Sequence, residues 1–316
     1  MAAVEKIVVV TRKTPLEELI ERFNSRAQAK FYIEHSGAQF QEYENEHEAY
    51  QRSLEALRKS LPHEPKAQFI ERAFLPTFQF NEQDLVVTVG QDGLVVNVAK
   101  YLTSQPLLAL NPDPARIDGV LIPFPVSEAR RILPRALEGR MKIKRISMAA
   151  AELNDGQTLL AVNDLFIGPK SHISAKYLLD FRGEHEPQSS SGIIVSTGTG
   201  STGWLQSIVT GAAAITRGVL KKKDLKIPQP AQYRLDGESE ELYFSVREPF
   251  TSRTSRATVV FGRIQPGESL YITSRMPGYG VIFSDGIESD FVAFNSGAIA
   301  KVGLANRKAH LIISTS

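Results

Sequence analysis

The apolar positions of this chain follow two periods, one in each half. Near the start, the unbroken run Ile7-Val8-Val9-Val10 has the form of a strand buried on both faces. Thr14-Pro15-Leu16-Glu17-Glu18-Leu19 follows, where a hydroxyl residue, a proline at the first helical position and early acids predict a helix start. From Gln41 to Leu61 the chain is rich in Glu, Gln, Arg and Ala, with apolar positions at Tyr50, Leu54 and Leu57, the spacing of an amphipathic helix that packs on a sheet. Asp84 to Val89 repeats the buried-strand pattern, a glycine turn spans Gly90 to Gly93, and Val95 to Leu102 reads as helix. Pro106 to Leu110 then completes a β-α-β pattern of the kind that builds a parallel sheet.

After a helical segment from Glu128 to Leu137 the period shortens. Strands are expected at Lys142 to Met148, Thr158 to Val162, Ile193 to Ser196, Leu242 to Val246, Thr258 to Val260, Ser269 to Thr273 and His310 to Ile313. One clear helix lies among them, following Thr202, carrying Leu205, Ile208, Val209, Ala212, Ala213 and Ile215, and stopping before Gly218. Lys221-Lys222-Lys223 and Pro228-Gln229-Pro230 read as an exposed loop. The expected organisation is an α/β nucleotide-binding domain over residues 1–140 and a β-rich domain over 141–316.

Length supports that division, because 316 residues exceed the roughly 250–300 at which single cores stop growing. Composition, 42% hydrophobic and 23% charged, is that of a globular protein. With 37 basic against 35 acidic residues there is no field to attract nucleic acid, so partners are argued from local sites. The chain has no cysteine, which excludes disulfides and thiolate metal sites and fits a reducing compartment. Its start runs almost at once into the first strand, leaving no room for a secretion signal or transit peptide, and charge interrupts every apolar run well short of a membrane span. The expectation is a cytoplasmic protein with no membrane and no nucleic-acid partner.

Three segments carry candidate chemistry. Gly90-Gln91-Asp92-Gly93 stands between a buried strand and a helix, where glycines allow a sharp turn and free N–H groups face outward to suit phosphate oxygens. A carboxylate at such a turn repels the ligand unless it holds a metal ion or accepts a proton from an attacking hydroxyl, so Asp92 is a candidate general base; a plain Asp-Gly turn is the alternative. In Ala161 to Gly168, Asn163 and Asp164 interrupt an apolar run, and an amide beside a carboxyl suits the vicinal diol of a ribose; an Asn-Asp β-turn is the alternative there. Ser191 to Trp204 runs from a strand through Thr197-Gly198-Thr199-Gly200-Ser201-Thr202-Gly203 into a helix, again an anion or nucleotide site.

Gly198, Gly200 and Gly203 spell the dinucleotide fingerprint of Rossmann oxidoreductases. That reading fails, because the distance to the expected acid falls in the lysine loop and the motif lies in the β-rich half. A P-loop fails as well, since no lysine follows the glycines. The six histidines show no ligand spacing, so no protein metal site is expected, and Arg247, Arg253, Arg256, Arg263 and Arg275 read as surface residues, with phosphate binding or a subunit interface as the alternatives.

Taken in order, the three segments resemble the signature of NAD kinases: a Gly-Gly-Asp-Gly turn, an Asn-Glu pair and a Thr-x-Thr-Gly-Ser turn. Asn111-Pro112-Asp113-Pro114 with Gly119, Ser190-Ser191-Gly192, Phe244 to Pro249 and Phe294 to Ala300 are similar to the mitochondrial-type branch. The resemblance implies an α/β nucleotide-binding domain followed by a β-sandwich-like domain, NAD and ATP as substrates, Mg²⁺ as cofactor, and a homodimer. It assigns Asp92 to the adenosine ribose 2′-hydroxyl, Gly90, Gln91 and Gly93 to the phosphate turn, and Asn163 with Asp164 to the ribose. Thr199, Thr202 and Gly203 fall on the adenine side, and Trp204 takes the place of a tyrosine near the NAD phosphates. Four further positions depart from the pattern: Gln91 for glycine, Leu94 for threonine, Asp164 for glutamate, and Ser191 where many bacterial members carry aspartate. The changed phosphate turn leaves a catalytically weakened NAD(P) sensor as one alternative, and a lipid or sugar kinase sharing the same turn as another.

Overall fold

The computed structural model describes residues 4–220 and 230–314. The lysine loop at 221–223 and its neighbours Pro228 and Gln229 lie outside the described residues. The chain divides into two compact units, one running to Lys144 and resuming at His310, the other spanning Arg145–Ala309.

In the first unit β1 (Lys6–Thr11), α1 (Pro15–Phe23), α2 (Arg26–His35), α3 (Phe40–Ser60) and β2 (Lys66–Glu71) come first. β3 (Asp84–Val89), α4 (Asp92–Ala99), β4 (Pro106–Asn111), β5 (Phe124–Pro125) and α5 (Ala129–Leu137) follow. Strands β2, β1, β3 and β4 lie side by side and all parallel, with β5 against the end of β4. Every residue of β3 is buried, as its unbroken apolar run requires of a central strand. Thr14 closes the capping box at the start of α1, accepting from the Glu17 N–H while Glu17 accepts from the Thr14 N–H, with Pro15 at the first helical position. Tyr50, Leu54 and Leu57 of α3 and Ile132 and Leu133 of α5 pack against Ile7, Val9, Leu85, Val87, Leu108 and Leu110 of the sheet.

Two local readings shift. The helix after the glycine turn spans Asp92–Ala99 rather than 95–102, because the Leu94 N–H donates to the Gln91 carbonyl and closes the first turn at once. It is also buried on every side from Leu94 to Ala99, which erases the helical period from its sequence. Edge strand β2 has a single fully buried residue, Ile70, and so carried no apolar signal.

The second unit comprises β6 (Lys142–Leu153), β7 (Thr158–Ala161), β8 (Asp164–Pro169), β9 (Ala175–Phe181), β10 (Glu184–Ser190) and β11 (Ile193–Ser196). After α6 (Trp204–Leu220) come β12 (Leu242–Val246), β13 (Phe261–Ile264), β14 (Leu270–Ser274), β15 (Gly280–Ser284), β16 (Phe291–Ala293) and β17 (Ile299–Ile313). One layer contains β10, β9, β14 and β17 with β6 and β7; the other is the antiparallel array β13-β12-β11-β8-β15-β16. Alternation does the sorting: Tyr177, Leu179 and Ile272 of the first layer meet Leu165, Ile167, Ile193, Val195, Phe244 and Ile282 of the second in one core. Helix α6 covers the outer face of the second layer, where Trp204 and Ile208 pack on Phe166, Ile194 and Val281. Thr258 to Val260 forms no strand. Buried Glu186 accepts the Thr258 and Val259 N–H groups, so a side chain takes the place of a neighbouring backbone. The alternating texture continues to the end of β17, yet its last residues join the first unit, where His310 and Leu311 pair in parallel with Pro106 and Leu107.

Candidate functional site

In the first unit the strands β1, β3 and β4 deliver Arg12, Gly90 and Pro112 from their carboxyl ends, the edge at which open α/β sheets bind ligands. Asp92 does not stand free there. Its Oδ2 accepts the Val120 N–H at 2.9 Å and its Oδ1 the Leu121 N–H at 2.9 Å. A β-carbon on Gly119 would meet Ile122 at 1.8 Å, so the loop passes the carboxylate with no room to spare. Each oxygen keeps lone pairs beyond the one engaged, so the group is oriented and still able to accept a proton. Gln91 is exposed at the turn, whereas Leu94 is buried at 3% exposure and faces inward, where a β-carbon on Gly90 would lie 2.9 Å from its Cδ2. Leu94 therefore packs behind the turn and does not project into it.

In the second unit Asn163 and Asp164 sit at a bend between β7 and β8, and the Thr197 to Gly200 turn docks onto them. The Thr197 N–H donates to the Asn163 carbonyl at 2.9 Å, and the Gly200 N–H to Thr197 Oγ1 at 3.2 Å. Gly200 lies so close that a β-carbon there would fall 2.2 Å from the Asn163 carbonyl oxygen and 2.8 Å from Asp164 Oδ1. Behind the bend stands Asp285, which nothing in the sequence singled out. Its carboxylate accepts the N–H groups of Val162, Asn163 and Asp164 at 3.2, 2.7 and 3.3 Å, and its φ of 55° is a left-handed conformation that aspartate tolerates. The Ser-Asp-Gly turn at 284–286 was the only local sign of it.

At this bend the ionisation of Asp164 is strongly changed by its surroundings. Burial, reinforced by the Asp285 charge and opposed by a hydrogen bond from Ser196, pushes its carboxyl up to about 7 from 3.8. Its Oδ1 is sealed from solvent with no hydrogen-bond partner, and so is the Oγ1 of Thr199. Two such groups on facing segments are suited to the hydroxyls of a polar ligand. A carboxyl with a raised folded-state value favours the folded chain at low pH. Its contribution is complete below the ordinary value of 3.8 and lost as pH rises through about 7. Asp164→Asn should therefore flatten the decline in stability between pH 4 and 7, read by urea unfolding at several pH values; an unchanged slope would place the group elsewhere in the titration.

Trp204 lies apart from that bend, against a cavity of about 1010 Å³ in the same unit, whose wall includes Phe166, Lys170, Ser191, Trp204 and Arg247. Its ring stacks on Phe166 at 6.0 Å and 9°, with the Arg247 guanidinium 5.3 Å from the indole. Arg247 is thus part of a pocket wall and not a plain surface arginine; Arg253, Arg256, Arg263 and Arg275 are exposed. Thr202 and Gly203 are exposed at the start of α6. For the NAD site that the sequence resemblance implies, Trp204→Ala should weaken nucleotide binding by roughly 3- to 10-fold, the worth of one aromatic contact. Calorimetric titration checks this, and an unchanged dissociation constant in a folded mutant would leave Trp204 as packing for α6.

Among the described residues no group of three or more His, Asp or Glu side chains gathers into a metal site, and no helix is long and apolar enough to cross a membrane. No protein-family model matches the chain. Over 144 residues, 42% of the chain, it is 31% identical to an NAD kinase of Acidithiobacillus ferrooxidans, of which the match spans 48%. Over 133 residues it is 29% identical to an NAD kinase of Cupriavidus pinatubonensis, covering 40% of this chain and 43% of that one. A probable NADH kinase of Oryza sativa is 23% identical over 216 residues, 61% of this chain and 60% of the other. The chain therefore spans about half the length of the curated relatives it matches.

Among solved structures, yeast NADH kinase complexed with NADH superposes with a TM-score of 0.59 at 14% identity, covering 99% of this chain and 85% of that one. An NAD kinase from Archaeoglobus fulgidus in complex with ATP gives 0.55 at 15% identity, over 98% and 93%. At such identities the likeness is one of fold. The architecture, an α/β unit and a β-rich unit, is that of NAD kinases.

Proposed function

We propose that this protein is an NAD kinase, transferring the γ-phosphoryl group of ATP to the adenosine ribose 2′-hydroxyl of NAD. The observation that carries the reading is the docked pair in the second unit: the Asn163-Asp164 bend locked against the Thr197 to Gly200 turn, with unpartnered polar atoms on both segments. The sequence likeness to NAD kinases supports it. In this reading Asn163, Asp164 and Thr199 hold the adenosine ribose and adenine side, with Thr202 and Gly203 beside them and Trp204 toward the NAD phosphates. Asp92, held by the Val120 and Leu121 N–H groups, takes the proton from the 2′-hydroxyl as the oxygen attacks the γ-phosphorus and ADP leaves. The turn at Gly90, Gln91 and Gly93 takes the transferring phosphoryl group, with the Gln91 and Gly93 N–H groups as donors, since the Gly90 N–H already donates to the Leu110 carbonyl at 3.2 Å. In the same reading Mg²⁺ is bound as the counterion of the ATP phosphates.

On the likeness of the quoted segments we take the chain to be nearest the mitochondrial-type branch and to act as a cytoplasmic homodimer. Sedimentation at micromolar concentration tests the dimer, and a monomer would remove it.

Incubation of purified protein with Mg·ATP and NAD, with NADP assayed enzymatically, tests the activity. The second reading, an NAD(P) sensor, is favoured by one observation: Gln91 puts a side chain where the phosphate turn is exposed. NAD binding without NADP formation from any donor would select it. Gln91→Gly should raise turnover with ATP and leave NAD affinity unchanged. Leu94→Thr added to it should cost stability, about 1–2 kcal/mol, because Leu94 is buried; thermal melts of the single and double mutants check that order.

A further inference from the structure

A second cavity opens in the first unit, beside the phosphate turn. It holds about 120 Å³ and is lined by Arg12, Glu46, Tyr50, Gln91, Pro112, Asp113, Arg116 and Ile117. Its size suits one phosphate group and not a whole nucleotide. Two arginines line it, and each guanidinium is held by a carboxylate: Arg12 Nη2 donates to Glu46 Oε1 at 2.8 Å, and Arg116 Nε to Asp113 Oδ2 at 2.6 Å. We propose that Arg12 and Arg116 receive one phosphate group of the donor nucleotide, and that Glu46 and Asp113 hold the two guanidinium groups in place until it arrives. The inference rests on the NAD kinase reading and adds to its quoted segments Arg12, Glu46 and Arg116, which lie outside them.

Position supports it first. Arg12 follows β1, Gln91 follows β3 and Pro112 follows β4, so the cavity sits at the carboxyl ends of three adjacent parallel strands. The wall is also tied to the turn. The Arg12 N–H donates to the Tyr50 hydroxyl at 3.0 Å, and that hydroxyl donates to the Val89 carbonyl, also at 3.0 Å, one residue before Gly90. Movement of the Arg12 backbone is thereby coupled to the residue that opens the phosphate loop.

The ion pair also leaves Arg12 incompletely satisfied. One terminal nitrogen serves Glu46 and the other the Lys13 carbonyl, while Nε is buried with no hydrogen-bond partner. An arginine retained only for its ion pair gains little from a sealed, unmet donor, which costs about 1–3 kcal/mol. A phosphate oxygen pair takes Nε and a terminal nitrogen together in the fork geometry that guanidinium matches best.

Steady-state kinetics with Mg·ATP and titration with inorganic pyrophosphate, on the full chain, test the site. Arg12→Gln should raise KM for ATP about 10-fold or more, the loss of one charge-assisted contact, leave KM for NAD unchanged, and weaken pyrophosphate binding in parallel. Glu46→Gln keeps an amide oxygen to hold the guanidinium but removes the charge that competes with phosphate, and should lower KM for ATP. An unchanged KM for ATP in Arg12→Gln overturns the proposal, as does a matching rise in both variants, since that pattern belongs to an ion pair with a purely structural role. If the wild type makes no NADP, the pyrophosphate titration still decides: binding lost in Arg12→Gln keeps the phosphate site and discards the kinase reading.

Discussion

Asp92→Asn should lower NADP formation about 10²- to 10⁴-fold while NAD binding stays nearly intact, the usual worth of a positioned general base. The substitution keeps size and shape but removes the proton acceptor. It also touches the loop, because an amide offers one oxygen where the carboxylate offers two, and the Val120 and Leu121 N–H groups each need one. One N–H would then face an NH₂ group, so some loss of order at 119–121 is expected. Gly119→Ala separates the two effects: its β-carbon would strike Ile122 at 1.8 Å and disturb the loop while the carboxylate survives. A large loss in Asp92→Asn against a small one in Gly119→Ala marks the base. Equal losses mark a loop anchor, and retained turnover in Asp92→Asn sinks the assignment.

Gly200→Ala should abolish most NAD binding. Its β-carbon would lie 2.2 Å from the Asn163 carbonyl oxygen, a backbone atom. That carbonyl has no freedom to retreat, since it accepts from Thr197 on one side while the Asn163 N–H is held by Asp285 at 2.7 Å on the other. The turn must therefore lift off Asp164, and overpacking of this kind costs about 1–3 kcal/mol, or roughly 5- to 150-fold when it falls on the binding surface. Gly211→Ala is the control. Nothing lies within 4 Å of a β-carbon there, in the interior of α6, so the same chemical change should stabilise the protein by about 0.5–1 kcal/mol. Calorimetric titration with NAD and a thermal melt of each variant provide the comparison. NAD affinity retained in Gly200→Ala would separate the turn from the ribose site.

What the sequence determined by itself is whatever neighbours in the chain decide. Thr14, Pro15 and Glu17 form a capping box from residues three apart, so the start of α1 was legible before any fold was known. The central strands were legible because burial on both faces demands an unbroken apolar run, as in Asp84–Val89. The Asn163-Asp164 pair and the Thr197 to Gly203 turn stood out as polar and glycine interruptions of such runs. The tertiary structure alone decided which of those segments meet. Gly200 is a glycine because the Asn163 carbonyl and the Asp164 carboxyl come within reach of its β-position from 36 residues earlier in the chain. Asp285 matters because three N–H groups more than 120 residues away converge on it. Arg247 became a pocket wall only when β8 and α6 brought Phe166 and Trp204 beneath it. Leu94 reads as a departure from a family pattern until packing turns it inward against Gly90. Such contacts carry no local signature, because a hydrogen bond or a close approach depends on distance in space, whereas propensity and periodicity record only what the nearest few residues do.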